Sequence, residues 1–278
     1  MFVLPNLFTV SSIFCGFYAI VLTSGEPGPV QFYRAALAIF FGIFFDMADG
    51  RVARLTRTQS EFGVQLDSLA DVITFGVAPA VVVHKWGLTH LGVLGLIAAF
   101  LYVSCGALRL ARFNVLAAHA PGTKKYFIGL PIPLAAGVLV SLVMFHQTTF
   151  GQAVAREAHI FVLVLVLSYL MISNVRYRSF KDVKLSPKSL ASLVAVLAIF
   201  GVLAARVQPT FAVLAFFCAY IGIGLVEEVV LFARRREALP IGPADTQGIS
   251  TATSDALAAS TDAPTDTSES TRKPDSRQ

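Results

Sequence analysis

The chain has 278 residues, of which 55% are hydrophobic and 14% are charged. This composition excludes an ordinary soluble domain and is typical of a membrane protein. The formal net charge is +5, but the basic residues lie in short loops between apolar runs. That distribution indicates a protein surface beside anionic lipid, so we predict membrane lipid and no nucleic acid among the partners.

Apolar runs of about 20 residues, the length of a transmembrane helix, recur along the chain. We place the runs near residues 6–24, 31–49, 65–84, 89–108, 131–149, 158–174, 188–206 and 210–232. The second and third runs extend past the bilayer at the ends that carry acidic residues. The pattern predicts an all-α fold, a polytopic membrane bundle of about eight transmembrane helices.

The composition changes at the carboxyl end of the chain, where Ala, Thr, Ser, Asp and Pro replace the large apolar residues. Such a segment cannot bury a hydrophobic core and is expected to be disordered. We therefore predict two parts, a membrane-embedded domain over residues 1–236 and a disordered cytoplasmic tail over residues 237–278.

Lys and Arg are unevenly distributed among the loops. Most of them follow the second, fourth, sixth and eighth apolar runs, and few lie at the opposite ends. The positive-inside rule places the basic loops and both termini in the cytoplasm. We expect an integral protein of a bacterial or archaeal cytoplasmic membrane.

Four aspartates flank the loop between the second and third apolar runs. Asp46 and Asp49 are three residues apart, and Asp67 and Asp71 are four apart, so each pair lies on one helical face. Carboxylates at the edge of a membrane are costly unless a cation compensates them. Two such helices would form an all-carboxylate cluster that suits hard divalent ions such as Mg²⁺ or Mn²⁺.

Small and basic residues accompany these acids. Gly50 and Gly63 have no side chain, so a ligand can approach the backbone closely. Arg54, one turn after Gly50, can form a bidentate contact with a phosphate. Helix capping or ion pairing alone does not explain four acids with so few arginines nearby. The full pattern, Asp-x2-Asp-Gly-x2-Ala-Arg-x8-Gly-x3-Asp-x3-Asp, resembles the signature of the CDP-alcohol phosphotransferases.

Further segments resemble the integral-membrane phosphatidylserine synthases of that family. These segments are Leu4–Thr9, Gln65–Ala80, Ala107–Asn114, Gly129–Pro133 and Ser173–Tyr177. The resemblance covers about residues 4–190. It implies an enzyme, a CDP-diacylglycerol–serine O-phosphatidyltransferase, which transfers the phosphatidyl group from CDP-diacylglycerol to L-serine and releases CMP. It also implies a homodimer with its active site facing the cytoplasm.

The resemblance assigns two divalent metal ions, Mg²⁺ or Mn²⁺, to the aspartates. It implies that Asp46 and Asp67 bridge both ions, that Asp49 completes the first ion and that Asp71 completes the second. Asp71 would also be the catalytic base for the incoming hydroxyl. Chemistry supports these roles, because paired cations stabilise a departing phosphate and a carboxylate can take up a proton.

The resemblance also implies substrate contacts. The residues placed against CDP-diacylglycerol are Asn6, Thr9, Gly50, Arg54 and Ser60. Next to the aspartates, Arg109, Arg112 and Asn114 are candidates for binding the serine carboxylate or the lipid phosphate, because two arginines on adjoining turns form an anion pocket. Anchoring at the cytoplasmic interface is the alternative explanation of the two arginines.

Two other functions compete with this one. A sister enzyme could use glycerol 3-phosphate or inositol phosphate, because Arg109 and Arg112 could bind the additional phosphate. A cation-coupled transporter could bind ions at its membrane acids. The transporter is disfavoured because the acids form one interfacial cluster with glycines and an arginine.

Overall fold

The computed structural model describes residues 3–55, 60–119, 126–151, 157–173, 175–178 and 208–237. Eight α-helices run through these residues, and two short strands lie between them. The helices are α1 Val3–Thr23, α2 Pro29–Leu55, α3 Glu61–Asp71, α4 Ala78–Val83, α5 Val93–His119, α6 Ile132–Thr149, α7 Glu157–Ile172 and α8 Pro209–Glu237. The strands are β1 Tyr126–Ile128 and β2 Arg176–Arg178.

The polytopic helical class predicted from the sequence is confirmed. Within the described residues, 5 helical stretches are long and apolar enough to cross a membrane: Asn6–Thr23, Pro29–Val52, Glu61–Leu91, Val93–Leu116 and Ile132–Thr149. Helix α7 and the Pro209–Gly224 part of α8 are apolar but shorter. The predicted count of about eight is not confirmed, and the seventh predicted run, 188–206, lies outside the described residues.

Two helices continue past the apolar runs. Helix α2 continues to Leu55, as expected for a run that extends past the bilayer at its acidic end, so it carries its aspartates on a continuous helix. Helix α5 continues to His119, beyond the end of the apolar run placed near residues 89–108. The residues after 108 are mainly Leu, Ala and Arg, which have high helix propensity and allow the helix to continue.

The third span is continuous but irregular. After α3, a π-helical segment Val72–Val77 leads into α4, and a second π-helical segment, His84–Leu88, ends in the 3₁₀ turn Thr89–Leu91. The Tyr102 hydroxyl on α5 donates to the Phe75 carbonyl at 3.1 Å, which satisfies an acceptor in the first π-helical segment. This segment begins immediately after Asp71. π-helical turns frequently occur at functional sites.

Thr74, in the first π-helical segment, fits between α1 and α2. An ideal Cβ on Gly16 would lie 2.8 Å from Thr74 Cα, and one on Gly42 would lie 2.7 Å from Thr74 Cγ2. Thr74 Oγ1 donates to the Ser12 carbonyl at 2.9 Å, and Ser12 Oγ donates to the Gly42 carbonyl at 3.2 Å. Small residues and interhelical hydrogen bonds therefore hold three helical segments together, one turn beyond Asp71.

The strands were not expected from the sequence. They form an antiparallel ladder in which Phe127 pairs with Tyr177. Just beyond it, the Gly129 amide donates to the Val175 carbonyl at 2.9 Å. Gly129 has φ 79°, and a Cβ there would collide with the Met171 carbonyl oxygen. Glycine is therefore required where the chain turns from the ladder into α6.

The contacts divide the chain into two units, Met1–Phe232 and Ala233–Gln278. The four aspartates and the candidates on α5 lie in the first unit. The domain boundary predicted near residue 236 stays a prediction. The disordered tail predicted for 237–278 falls outside the described residues after Glu237.

Candidate active site

Helices α2 and α3 bring the predicted aspartates together. Asp46, Asp49 and Asp67 each offer a carboxylate oxygen, and these oxygens all lie within 4.8 Å of one another. The Asp71 carboxyl lies within hydrogen-bonding range of Asp46. The spacing of three on α2 and of four on α3 therefore produces one cluster of four carboxylates.

The cluster is partly shielded from solvent. Asp49 is 6% exposed, and the Thr9 hydroxyl on α1 donates to its Oδ2 at 2.8 Å. Asp71 Oδ1 is buried and has no hydrogen-bond partner among the described residues. A buried carboxylate oxygen without a donor is unusual and calls for a partner of another kind.

A divalent cation fits this donor set. The Arg109 guanidinium interacts electrostatically with Asp71, but one guanidinium by itself cannot balance four carboxylates. Hard divalent ions bind carboxylate oxygens preferentially. The converging oxygens and the unpartnered Asp71 Oδ1 therefore have the chemistry of a divalent-metal site.

The amino end of α3 lies beside the predicted donor-binding residues. Ser60 caps the helix, because its Oγ accepts the Gly63 amide hydrogen at 3.0 Å. Asn6 Oδ1 on α1 lies 3.9 Å from an ideal Cβ on Gly63. The other amides of this first turn point towards the helix start, where they favour an anion such as phosphate.

Gly50 lies on an open surface of α2. It is exposed, and an ideal Cβ there would meet no atom within 4 Å. Packing thus gives no reason for glycine at this position, unlike Gly42 on the same helix. Arg54 lies one turn further along α2, and its side chain is outside the part that the structure describes.

The three candidates on α5 have different surroundings. Arg109 is 7% exposed, and its Cζ lies 5.4 Å from the centroid of the Phe113 ring. Arg112 is exposed. Asn114 Nδ2 donates to Ser68 Oγ at 2.8 Å, and so it joins α5 to the helix that carries two of the aspartates.

Three residues near the cluster were not predicted from the sequence to belong to the site. Ser68 lies between Asp67 and Asp71 and accepts the Asn114 hydrogen bond. Phe113 lies against the Arg109 guanidinium. Thr74 lies one turn after Asp71, and this spacing was the one available signal that it belongs to the same helical face.

The sequence profile of the CDP-alcohol phosphatidyltransferase family matches residues 2–175, and the chain belongs to this family. The matched range contains all four aspartates and the three candidates on α5. The predicted family is confirmed. Of the enzyme and the transporter considered above, family membership supports the enzyme. With its apolar helices, the chain is an integral membrane protein.

Several curated proteins are similar to this chain. A protein of Helicobacter pylori strain J99 is 36% identical over 235 residues, covering 84% of this chain and 94% of the relative. A Bacillus subtilis protein is 34% identical over 178 residues, or 64% of this chain and 91% of the relative. One from Saccharomyces cerevisiae is 42% identical over 150 residues, or 50% and 52%. All three are named CDP-diacylglycerol–serine O-phosphatidyltransferase.

Proposed function

We propose that this chain transfers the phosphatidyl group of CDP-diacylglycerol to the hydroxyl of L-serine, giving phosphatidylserine and CMP. The names of the similar proteins support this substrate pair. The observation that carries the proposal is the convergence of Asp46 and Asp49 on α2 with Asp67 and Asp71 on α3.

The four carboxylates would hold two divalent ions, Mg²⁺ or Mn²⁺. Asp46 and Asp67 would be shared between them, with Asp49 completing one site and Asp71 the other. When bound, the ions neutralise the pyrophosphate of the donor and stabilise the departing CMP. The Thr9 hydroxyl, which donates to Asp49, would fix the orientation of that carboxylate.

The CDP moiety would lie over α2 and the amino end of α3. The open surface at Gly50 lets a phosphate come close to the backbone. The first-turn amides of α3, beyond the Ser60 cap, would donate to phosphate oxygens. Asn6 would contact the donor beside Gly63, and Arg54 would pair with a phosphate.

The serine hydroxyl would react beside Asp71. The Asp71 carboxylate would take the hydroxyl proton while the serine oxygen attacks the phosphorus of the phosphatidyl group. The bond from this phosphorus to the bridging oxygen breaks, and that oxygen leaves with CMP. Arg109, which interacts electrostatically with Asp71, would bind the serine carboxylate or the lipid phosphate together with Arg112. Asn114 would hold α5 against α3.

The membrane setting follows from the charge distribution. Because the basic loops belong in the cytoplasm, the site would face the cytoplasm from a bacterial or archaeal cytoplasmic membrane. The protein would act as a homodimer, with a membrane domain over residues 1–236 and a disordered tail over residues 237–278.

The test is a product assay with purified protein in vesicles that contain CDP-diacylglycerol. CMP release is measured with L-serine, glycerol 3-phosphate or inositol phosphate, each with Mn²⁺ or with a chelator. We expect CMP and phosphatidylserine only with L-serine and the metal. Preference for glycerol 3-phosphate would reject the serine assignment, and no CMP release with any acceptor would reject phosphatidyl transfer.

A further inference from the structure

A groove of about 680 Å³ lies between α1 and α2, on the face that these helices turn away from the aspartates. Small, partly buried side chains such as Ser11 and Ala38 form its floor. Phe14 and Phe41 border it and are 62% and 50% exposed. Thr9, the residue of α1 that contacts the carboxylate cluster, lies on the other face of this helix. The groove is therefore a feature separate from the cluster.

One end of the groove carries polar side chains. The Ser12 hydroxyl donates to the Gly42 carbonyl at 3.2 Å, and this contact fixes the alignment of the two antiparallel helices. At 1.5 Å per residue, Tyr18 lies about 9 Å along α1 from this contact and Arg34 about 12 Å along α2, both in the direction away from the aspartates. Tyr18 and Arg34 therefore line the end of the groove that points to the opposite face of the membrane.

The Arg34 side chain is a cation without an anionic partner in the described part of the chain. It is exposed, and the one ion pair among the described residues joins His90 to Glu157. Glu26, in the turn between α1 and α2, is exposed and makes no ion pair with it. A guanidinium on a membrane helix is costly unless it reaches the interface or meets an anion. The polar end of the groove thus favours a negatively charged group.

The length of the groove fits one leaflet of a bilayer. Arg34 and Phe45 mark its two ends on α2 and are about 16 Å apart at 1.5 Å per residue. One leaflet contributes half of a hydrocarbon core of about 30 Å, or about 15 Å. Lipid tails are as apolar as the helix surface, so close packing against the floor and the aromatic rings would hold an acyl chain there.

We propose that this groove binds an anionic glycerophospholipid of the leaflet opposite the aspartates. Its phosphate pairs with the Arg34 guanidinium beside Tyr18, and one acyl chain lies between α1 and α2. A guanidinium suits phosphate because it can donate two parallel hydrogen bonds. A lipid with net negative charge is preferred, because Arg34 repels the ammonium group of a zwitterionic lipid. The site does not depend on the proposed reaction.

A photoactivatable lipid tests the site directly. The full chain is placed in phosphatidylcholine nanodiscs with a trace of phosphatidylglycerol that carries a diazirine on one acyl chain, and crosslinks are mapped by peptide mass spectrometry. We expect crosslinks at residues 10–18 and 34–45, with a yield that falls about tenfold in Arg34→Ala through loss of a charge-assisted contact. Lys85→Ala, which removes an exposed cation outside the groove, is the matched control and should keep the yield of the unmodified chain.

Competing molecules identify what the groove recognises. Excess unlabelled phosphatidylglycerol should displace the probe, whereas inorganic phosphate should not. A phosphatidylcholine probe with the same diazirine should crosslink the groove much less. Equal crosslinking by the two probes would show that bulk lipid fills the groove and would overturn the proposal. Displacement by inorganic phosphate would overturn the assignment to a lipid.

A second variant tests the acyl chain separately from the charge. Ala38→Phe keeps Arg34 but fills the floor of the groove, so the crosslinking yield should again fall about tenfold because the chain loses its space. Ala158→Phe, at an exposed position of α7, is the control and should leave the yield unchanged. Thermal unfolding of the same samples shows whether each variant is folded. An undiminished yield in folded Arg34→Ala or in folded Ala38→Phe would contradict the proposal.

Discussion

Two neighbouring levels of the same helices use glycine and polar side chains in opposite ways. At the inner level, Thr74 fills the space left by Gly16 and Gly42, and its hydroxyl donates to a carbonyl. Asp71, about one turn before Thr74, has an Oδ1 without a hydrogen-bond partner among the described residues. Gly50, about two turns after Gly42, faces open space. Packing explains the first set of residues but not the second, so we attribute the second set to ligand binding.

The contrast also explains how a costly cluster can be maintained. Mutual repulsion of the four carboxylates would push α2 and α3 apart. The Thr74 contacts hold these segments together from the adjacent turn, and Asn114 joins α3 to α5 through Ser68. The contacts around Thr74 thus position the acids, and the residues around Gly50 and Asp71 remain available for binding and catalysis.

The largest effect should come from removing a carboxylate that is shared by both metal ions. Asp46→Ala and Asp67→Ala should each reduce phosphatidylserine formation below detection, because both ions lose a ligand. Glu26→Ala, which removes an exposed acid between α1 and α2, is the control and should retain activity. Metal titrations that give the same affinity in wild type and Asp46→Ala would argue against the shared role.

The next largest effect concerns the proposed base. Asp71→Asn keeps the size of the side chain but prevents uptake of the serine proton, so kcat should fall by about 10² to 10⁴. Binding of CDP-diacylglycerol, measured by equilibrium dialysis of labelled lipid in nanodiscs, should remain close to wild type. Turnover near the normal rate would assign the proton transfer to another group.

A pair of glycine substitutions on α2 tests the comparison itself. Gly50→Ala should raise the KM for CDP-diacylglycerol about tenfold with little change in Tm, since the methyl group meets the donor and not the protein. Gly42→Ala should lower stability by about 1 to 3 kcal/mol, because its methyl group collides with Thr74. For both variants, Tm is measured by thermal unfolding and KM by initial rates. A large drop in Tm for Gly50→Ala would show that this position is structural.

The smallest effect is expected at the acceptor site. Arg112→Ala should raise the KM for serine about tenfold, equivalent to about 1.4 kcal/mol, through loss of a charge-assisted contact. The KM for CDP-diacylglycerol should change much less. Initial rates with each substrate varied in turn distinguish the two. Equal increases in both constants would make Arg112 a lipid-phosphate or structural residue.

The parts of the fold and site that depend on local pattern could be predicted from the sequence. The length of the apolar runs predicted the helical membrane class. The spacing of Asp46 with Asp49 and of Asp67 with Asp71 predicted that the acids converge. Their individual roles remain predictions. The spacing worked because residues three or four apart share a helical face wherever the helix is placed.

The remaining features depend on tertiary contacts. Thr74, in the π-helical segment after Asp71, packs against Gly16 and Gly42. The spacing of apolar residues in the sequence does not predict this contact or the π-helical turn. The burial of Arg109 against Phe113 contradicts the usual exposure of arginine. The ladder between β1 and β2 joins three-residue strands that are far apart in sequence and too short to show an alternating pattern.

The central claim is that the partly shielded carboxylate cluster binds the divalent ions used in phosphatidyl transfer. It is tested most directly by counting bound Mn²⁺ with electron paramagnetic resonance in wild type and Asp67→Asn, and by measuring phosphatidylserine formation on the same samples. We predict that wild type binds about two Mn²⁺ per chain with CDP-diacylglycerol present, and that Asp67→Asn loses both the bound Mn²⁺ and the activity. Equal Mn²⁺ binding by the two proteins, or full activity of Asp67→Asn, would contradict it.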